Sequence, residues 1–197
     1  MTKTDYCVLF LFSFFYLLIL FYAQCPYINL FRFFLVCLCL LAAFYHGVFL
    51  ASFFTMVSDA FLLFSPYPKI GVYFFCLVHL FYISSLLHKH LSYSIFFFLL
   101  FFLLFPIPII GIVYGMLFFI HTAVAFFLRK EKKAKPTFWL YLFGLSLFIC
   151  CDTLVAIGHF SNPNPTLIWA FYAPSQLLLA FNAKALPPLL VSFSSDP

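Results

Sequence analysis

Apolar residues run through this chain in continuous blocks broken only by short polar turns, and no other feature limits the available folds so strongly. About eight blocks stand out, at roughly 7–23, 29–44, 46–64, 70–87, 92–105, 108–128, 137–158 and 165–184. None alternates apolar and polar residues over about ten residues as an outer-membrane barrel strand does. A backbone inside hydrocarbon must satisfy its own N–H and C=O groups, so blocks of this kind are helices. Several are shorter than the ~20 residues that cross a full hydrocarbon core, the second and fifth most clearly. The expected fold is all-α, a polytopic membrane helical bundle of about eight transmembrane helices.

Composition closes off the soluble classes. Hydrophobic residues make up 66% of the 197 and charged residues 8%, with a mean hydropathy of +1.16. A soluble domain carries about 25% charged residues. Residues 1–197 read as one integral membrane domain with no soluble domain and no linker, and no nucleic-acid partner is expected. The 34 Phe residues show no single helical face, so they are expected to fill lipid-facing positions rather than line a site. Seven Cys lie mostly inside the blocks, with no C-x-x-C pair among them. Their odd number and position argue against a disulfide framework, and they read as small apolar fillers.

The connections carry turn chemistry: Pro66-Tyr67-Pro68-Lys69, His88-Lys89-His90, Pro106-Ile107-Pro108 and Ser161-Asn162-Pro163-Asn164-Pro165. Lys3 and Asp5 balance in charge ahead of the first block, and Gln24 beside Cys25 fits a lipoprotein cleavage box poorly. The first block therefore reads as a retained span rather than a cleaved signal. With eight spans, Lys3, Lys89, Arg129, Lys130, Lys132, Lys133, Lys135 and Lys184 fall on one side, and Arg32 and Lys69 on the other. The positive-inside rule then places both termini and the Arg129–Lys135 loop in the cytoplasm. The expected location is a multi-pass position in the cytoplasmic membrane of a bacterium or the endoplasmic reticulum of a eukaryote.

Only five acidic residues occur, and two of them, Asp59 and Asp152, sit within spans. A carboxylate at mid-membrane costs about 2.5–3.5 kcal/mol on insertion scales, so an intramembrane Asp is a functional-site hypothesis by default. The two share a frame, Ser58-Asp59-Ala60-Phe61-Leu62 and Cys151-Asp152-Thr153-Leu154-Val155. An offset of 93 residues aligns them and also sets His79 on Tyr172. Each half, roughly 1–90 and 91–197, then reads as part of a four-plus-four parallel repeat, an arrangement common in membrane proteins.

Helix rise puts both Asp residues ~7–9 Å below one membrane edge, with His79 and Tyr172 ~10–14 Å below the same edge. Ser52, Thr55 and Asp59 share a helical face, as do His79 with Tyr82, and Tyr114 with His121; Tyr172, Ser175 and Gln176 form a further cluster. Single hydroxyls of this kind commonly just bond neighbouring helices, for under ~1 kcal/mol each. That account does not suffice for the two Asp residues, since Asn would pack as well at less cost. Two carboxyls in one low-polarity site do not ionise together easily, so one can act as an acid while the other stays charged. No metal site is expected: the six His include no H-E-x-x-H motif and no i,i+4 pair. G-x-S-x-G and Gly-rich phosphate loops are likewise absent, and no cofactor is expected.

At these residues the chain resembles the YhhN-like family, which includes lysoplasmalogenases. The matching stretches are residues 47–62, ending Ser58-Asp59-Ala60-Phe61-Leu62; Gly71 followed by Val78-His79-Leu80-Phe81-Tyr82; Phe143-Gly144 leading to Cys151-Asp152-Thr153-Leu154-Val155-Ala156; and Phe171-Tyr172-Ala173-Pro174-Ser175-Gln176. Ser58 stands where the family usually has Gly, Cys151 where it has Ser, and Ser175 where it has Ala; a Lys-Pro near the start of the second span is missing. The resemblance implies a lysophospholipid substrate among the membrane lipids, and hydrolysis of the vinyl ether bond of lysoplasmalogen to an aldehyde and a glycerophospho-base. Such hydrolysis needs a general acid, a negative charge for the oxocarbenium-like state and a positioned water. Asp59 and Asp152 fit the first two roles, with His79, Tyr82, Tyr172, Gln176, Ser52 and Thr55 available to position water or substrate.

Two other readings stay open on the residues alone. A proton-coupled transporter or flippase also uses buried carboxylates and parallel repeats, and predicts flux that follows a proton gradient with no product formed. A non-catalytic lipid-binding protein predicts that Asp59→Asn and Asp152→Asn change nothing.

Overall fold

The computed structural model describes residues 3–22, 24–46, 49–86, 109–131, 136–158 and 164–181. These form seven α-helices and no strand: α1 Lys3–Phe21, α2 Ile28–His46, α3 Phe49–Phe64, α4 Pro68–Leu86, α5 Ile110–Glu131, α6 Pro136–Gly158 and α7 Pro165–Phe181. The expected fifth span, 92–105, lies outside the described residues, as do the His88–His90 and Pro106–Pro108 turns. Four helices are long and apolar enough to cross a membrane: α1, α4, α5 over Ile110–Leu128 and α6 over Phe138–Ile157. α2 over Ile28–Phe44 and α3 are apolar but shorter. The protein is a multi-pass, all-α membrane protein.

Helix starts follow proline chemistry. α4, α6 and α7 each begin on a Pro, whose fixed φ suits the first helical position and whose missing N–H is not needed there. Asn164 caps α7, its Oδ1 accepting from the N–H groups of Thr166 and Leu167 at 3.1 and 3.2 Å.

Two antiparallel pairs dominate the packing, α3 with α4 and α6 with α7. Each closes on a glycine. A Cβ on Gly71 would lie 2.8 Å from the Ser58 carbonyl oxygen of α3, and one on Gly144 would lie 2.8 Å from Leu178 Cβ of α7. Small residues allow such backbone approach where no water exists to drive helices together. α4 also packs on α5, α2 packs on both α3 and α7, and the α5 and α6 backbones stand apart, joined through side chains. α4 is the enclosed helix: 67% of its span is buried, against 22–28% for α1, α5 and α6.

α7 contains Pro174, which cannot donate to the carbonyl of Ala170 four residues earlier. Tyr16 of α1 takes that place, its hydroxyl donating to the Ala170 oxygen at 2.9 Å. The proline thus creates an acceptor that ties α1 to α7 in a setting where a bare carbonyl is costly.

Many Phe residues lie where lipid-filling predicts, with Phe10, Phe21, Phe119 and Phe127 all more than 70% exposed. All seven cysteines are free; Cys39, Cys76 and Cys151 are buried, whereas Cys7 and Cys150 are exposed.

Candidate active site

α3 sends Ser52, Thr55, Ser58 and Asp59 into the interior, so the face inferred from their spacing is the buried one. Thr55 spends its hydroxyl on the Ala51 carbonyl of its own helix, at 3.0 Å. Ser58 donates to the Gly71 carbonyl at 2.6 Å, binding α3 to α4 one residue before Asp59. Asp59 itself is 3% exposed and accepts a hydrogen bond from the Tyr172 hydroxyl of α7. Asp152 on α6 is part-buried and accepts from the Tyr114 hydroxyl of α5. Four helices therefore contribute to two carboxyl–phenol pairs.

Both pairs line one cavity of about 420 Å³. That size falls in the range of small-ligand pockets, roughly 300–1,000 Å³. Its walls are mostly apolar, formed by side chains such as Leu63, Val72, Phe75, Phe148, Ile168 and Trp169. The lining residues come from the last turns of α3 and α6 and the first turns of α4, α5 and α7, so the cavity occupies one end of the bundle. It reaches the exterior where Leu62, Gly111, Val155 and Ala156 line it, since all four are exposed. Gly111 and Val155 lie on α5 and α6, whose backbones stand apart and meet through side chains.

His79 and Tyr82 occupy a second buried cluster. His79 Nδ1 lies 3.1 Å from His121 Nδ1, and His121 Nε2 lies 2.5 Å from the Tyr141 hydroxyl. A hydrogen bond between two Nδ1 atoms requires one ring to carry its proton there and the other not to. Tyr82 stacks on His121 with 6° between the rings and hydrogen-bonds Ser52. His79 Nε2 has no hydrogen-bond partner among the described residues. Its ring faces Phe118, Tyr114 and Phe148, with centroids 4.9, 5.2 and 5.8 Å away.

The structure thus brings Asp59, Asp152 and Tyr172 to the cavity. It sets His79 one ring behind the Tyr114–Phe148 wall, with Tyr82 and Ser52 further along the same cluster. Gln176 is buried on α7, and its neighbour Ser175 donates to the Tyr172 carbonyl at 2.6 Å. Tyr114 is the site residue that site reasoning from sequence passed over, although its seven-residue spacing from His121 had marked the face. Trp169, Phe75 and Phe148 left no signal among so many aromatic residues. Among the described residues no group of His, Cys, Asp or Glu is arranged to hold a metal ion.

The YhhN family pattern matches residues 9–183, which takes in most of α1 and all of α2–α7. The chain belongs to the YhhN family. No curated protein and no solved structure matches it. Beside Asp59, the Ser58 hydroxyl is absorbed by the Gly71 carbonyl. Cys151 is buried on the cavity wall beside Asp152.

Proposed function

We propose that this YhhN protein is a membrane-embedded hydrolase that cleaves the vinyl ether bond of lysoplasmalogens. One observation carries the proposal: two intramembrane carboxyls, each held by a tyrosine from another helix, share an apolar cavity that opens on the side of the bundle. The reaction adds water across an enol ether. A proton goes to the outer vinyl carbon, the C–O carbon becomes an oxocarbenium centre, and water attacks it. The resulting hemiacetal then breaks its C–O bond to glycerol, giving an aldehyde and the glycerophospho-base, and the proton donor is regenerated.

In this reading Asp152 is the general acid, because it must be reprotonated in each turnover and is the more exposed of the pair. Asp59, deep and hydrogen-bonded by Tyr172, faces the developing cation, where fixed charge acts strongly in a water-poor site. The Ser58–Gly71 bond fixes the α3 backbone beside it. Two helix pairings support a parallel repeat, in that α3–α4 matches α6–α7 and α2 on α7 matches α5 on α4, while the close α2–α3 pairing has no counterpart between α5 and α6. That repeat accounts for two Asp residues entering one site from the ends of two like helices.

The test is purified protein in detergent with a vinyl-ether lysophospholipid and its ester and alkyl-ether analogues. Released aldehyde is followed for wild type, Asp59→Asn and Asp152→Asn. Aldehyde from the vinyl ether alone, lost in both variants, is the expected result. Folded wild-type protein that releases no product from any of the three, beside an active family member as control, rejects the hydrolase.

A further inference from the structure

Arg32, on the first turns of α2, is 7% exposed, and its Nε has no hydrogen-bond partner among the described residues. Its described polar contact is a bond from Nη1 to Asn29 Oδ1 at 3.0 Å. A guanidinium has five N–H donors and stays charged in proteins. A neutral amide leaves that charge uncompensated, and an unpaired buried ion is costly. The two acids nearest in function, Asp59 and Asp152, are occupied by tyrosines.

The arginine is built against the cavity wall. Its guanidinium carbon lies 5.3 Å from the centroid of the Trp169 ring, which lines the cavity. Trp169 meets the Tyr172 ring edge-on at 5.0 Å, and Tyr172 holds Asp59. On the other side of Arg32, Asn29 Nδ2 donates to the carbonyl of Leu63 at 3.4 Å, and Leu63 also lines the cavity. A permanent cation with spare donors therefore stands behind the Leu63–Trp169 wall, at the cavity end of the bundle.

We propose that Arg32, with Asn29 and Trp169, forms the phosphate-recognition site of this protein and selects a lysophospholipid over an uncharged glyceryl ether. The ligand chemistry is a phosphodiester monoanion, whose oxygens match the paired donors of a guanidinium. In a lysoplasmalogen, five single bonds separate the vinyl ether oxygen from phosphorus, a reach of roughly 6 Å at ordinary bond lengths. The Trp169 ring lies 5.0 Å from the Tyr172 ring and 5.3 Å from the Arg32 guanidinium carbon, so Trp169 stands within that reach of both groups. The identity of the cleaved bond rests on the hydrolase reading; the phosphate site does not, and binding alone tests it.

The experiment uses full-length Trp139→Phe protein in an uncharged maltoside, so that Trp169 is the sole tryptophan. Its fluorescence is titrated with a non-hydrolysable 1-O-alkyl lysophospholipid, with 1-O-alkylglycerol, and with inorganic phosphate. The lysophospholipid is expected to bind at least tenfold tighter than the alkylglycerol. Arg32→Gln removes that difference, Arg32→Lys keeps part of it, and inorganic phosphate competes only at far higher concentration. Equal affinities for the two lipids in the Arg32 protein overturn the site, and so does a difference that persists in Arg32→Gln. Phosphate displacing the lipid at equal concentration would make this a free-anion site and overturn the lipid assignment. Because wild-type selectivity is itself an outcome, a variant that fails to fold does not protect the proposal. Binding of this pattern with no aldehyde release would keep the phosphate site and reject the hydrolase.

Discussion

Tyr172→Phe removes one oxygen and tests how the deeper carboxyl is used. Tyr172 is 6% exposed and its ring is held by Trp169, Phe148 and Phe75, with centroids 5.0, 5.9 and 6.5 Å away. Phe fills the same space, so the change is almost purely the loss of the hydrogen bond to Asp59. Hydrogen bonds to charged groups contribute about 1.5–3 kcal/mol, which corresponds to a roughly 10- to 150-fold fall in rate when the charge matters in the transition state. The loss is expected in kcat with KM little changed, because charge develops on the substrate only during reaction. Since Tyr172 acts through Asp59, Asp59→Asn with Tyr172→Phe is expected to be no slower than Asp59→Asn alone. Aldehyde release from a vinyl-ether lysophospholipid measures all four proteins. Full activity in Tyr172→Phe, or additive losses in the double variant, would refute the reasoning that the phenol serves the carboxylate.

Further predictions concern the scaffold. Gly144→Ala places a methyl group 2.8 Å from Leu178 Cβ, whereas Gly115→Ala points into open space. The first is expected to cost about 1–3 kcal/mol through overpacking and the second to be neutral or gain up to about 1 kcal/mol in helix propensity; equal melting temperatures in detergent would contradict the close approach. Tyr16→Phe leaves the Ala170 carbonyl unpaired and is expected to cost about 0.6 kcal/mol, the average for side-chain bonds between membrane helices, and at most about 1.7 kcal/mol. Adding Pro174→Ala restores an N–H for that carbonyl, so the double variant should melt above Tyr16→Phe alone.

Much of the fold was legible because hydrocarbon leaves few alternatives. Seven of the expected apolar blocks coincide with helices and the 92–105 block lies outside the described residues; α1 starts at Lys3 rather than near residue 7, since the helix continues through Asp5, which is buried. The interior face of α3 was readable from Ser52, Thr55 and Asp59 because one polar face is conspicuous on an apolar helix. The site was legible only in part. Tyr172 was found through its alignment with His79, yet His79 itself pairs with His121 instead of mirroring Tyr172 on Asp152. Two halves that match in sequence offset need not match in side-chain partners, and Tyr114 fills that role from a different helix.

The sequence by itself determined that this protein crosses the membrane as a bundle of helices, that Asp59 and Asp152 are its costly residues, and that it carries the YhhN pattern. Those conclusions need only transfer energies and spacing along one chain. Tertiary structure alone decided that the two carboxyls share a cavity, which tyrosines hold them, and that Arg32 lies buried against Trp169. Contacts between helices far apart in sequence depend on which faces meet and how closely. Here Gly71, Gly144 and the carbonyl left open by Pro174 set those distances.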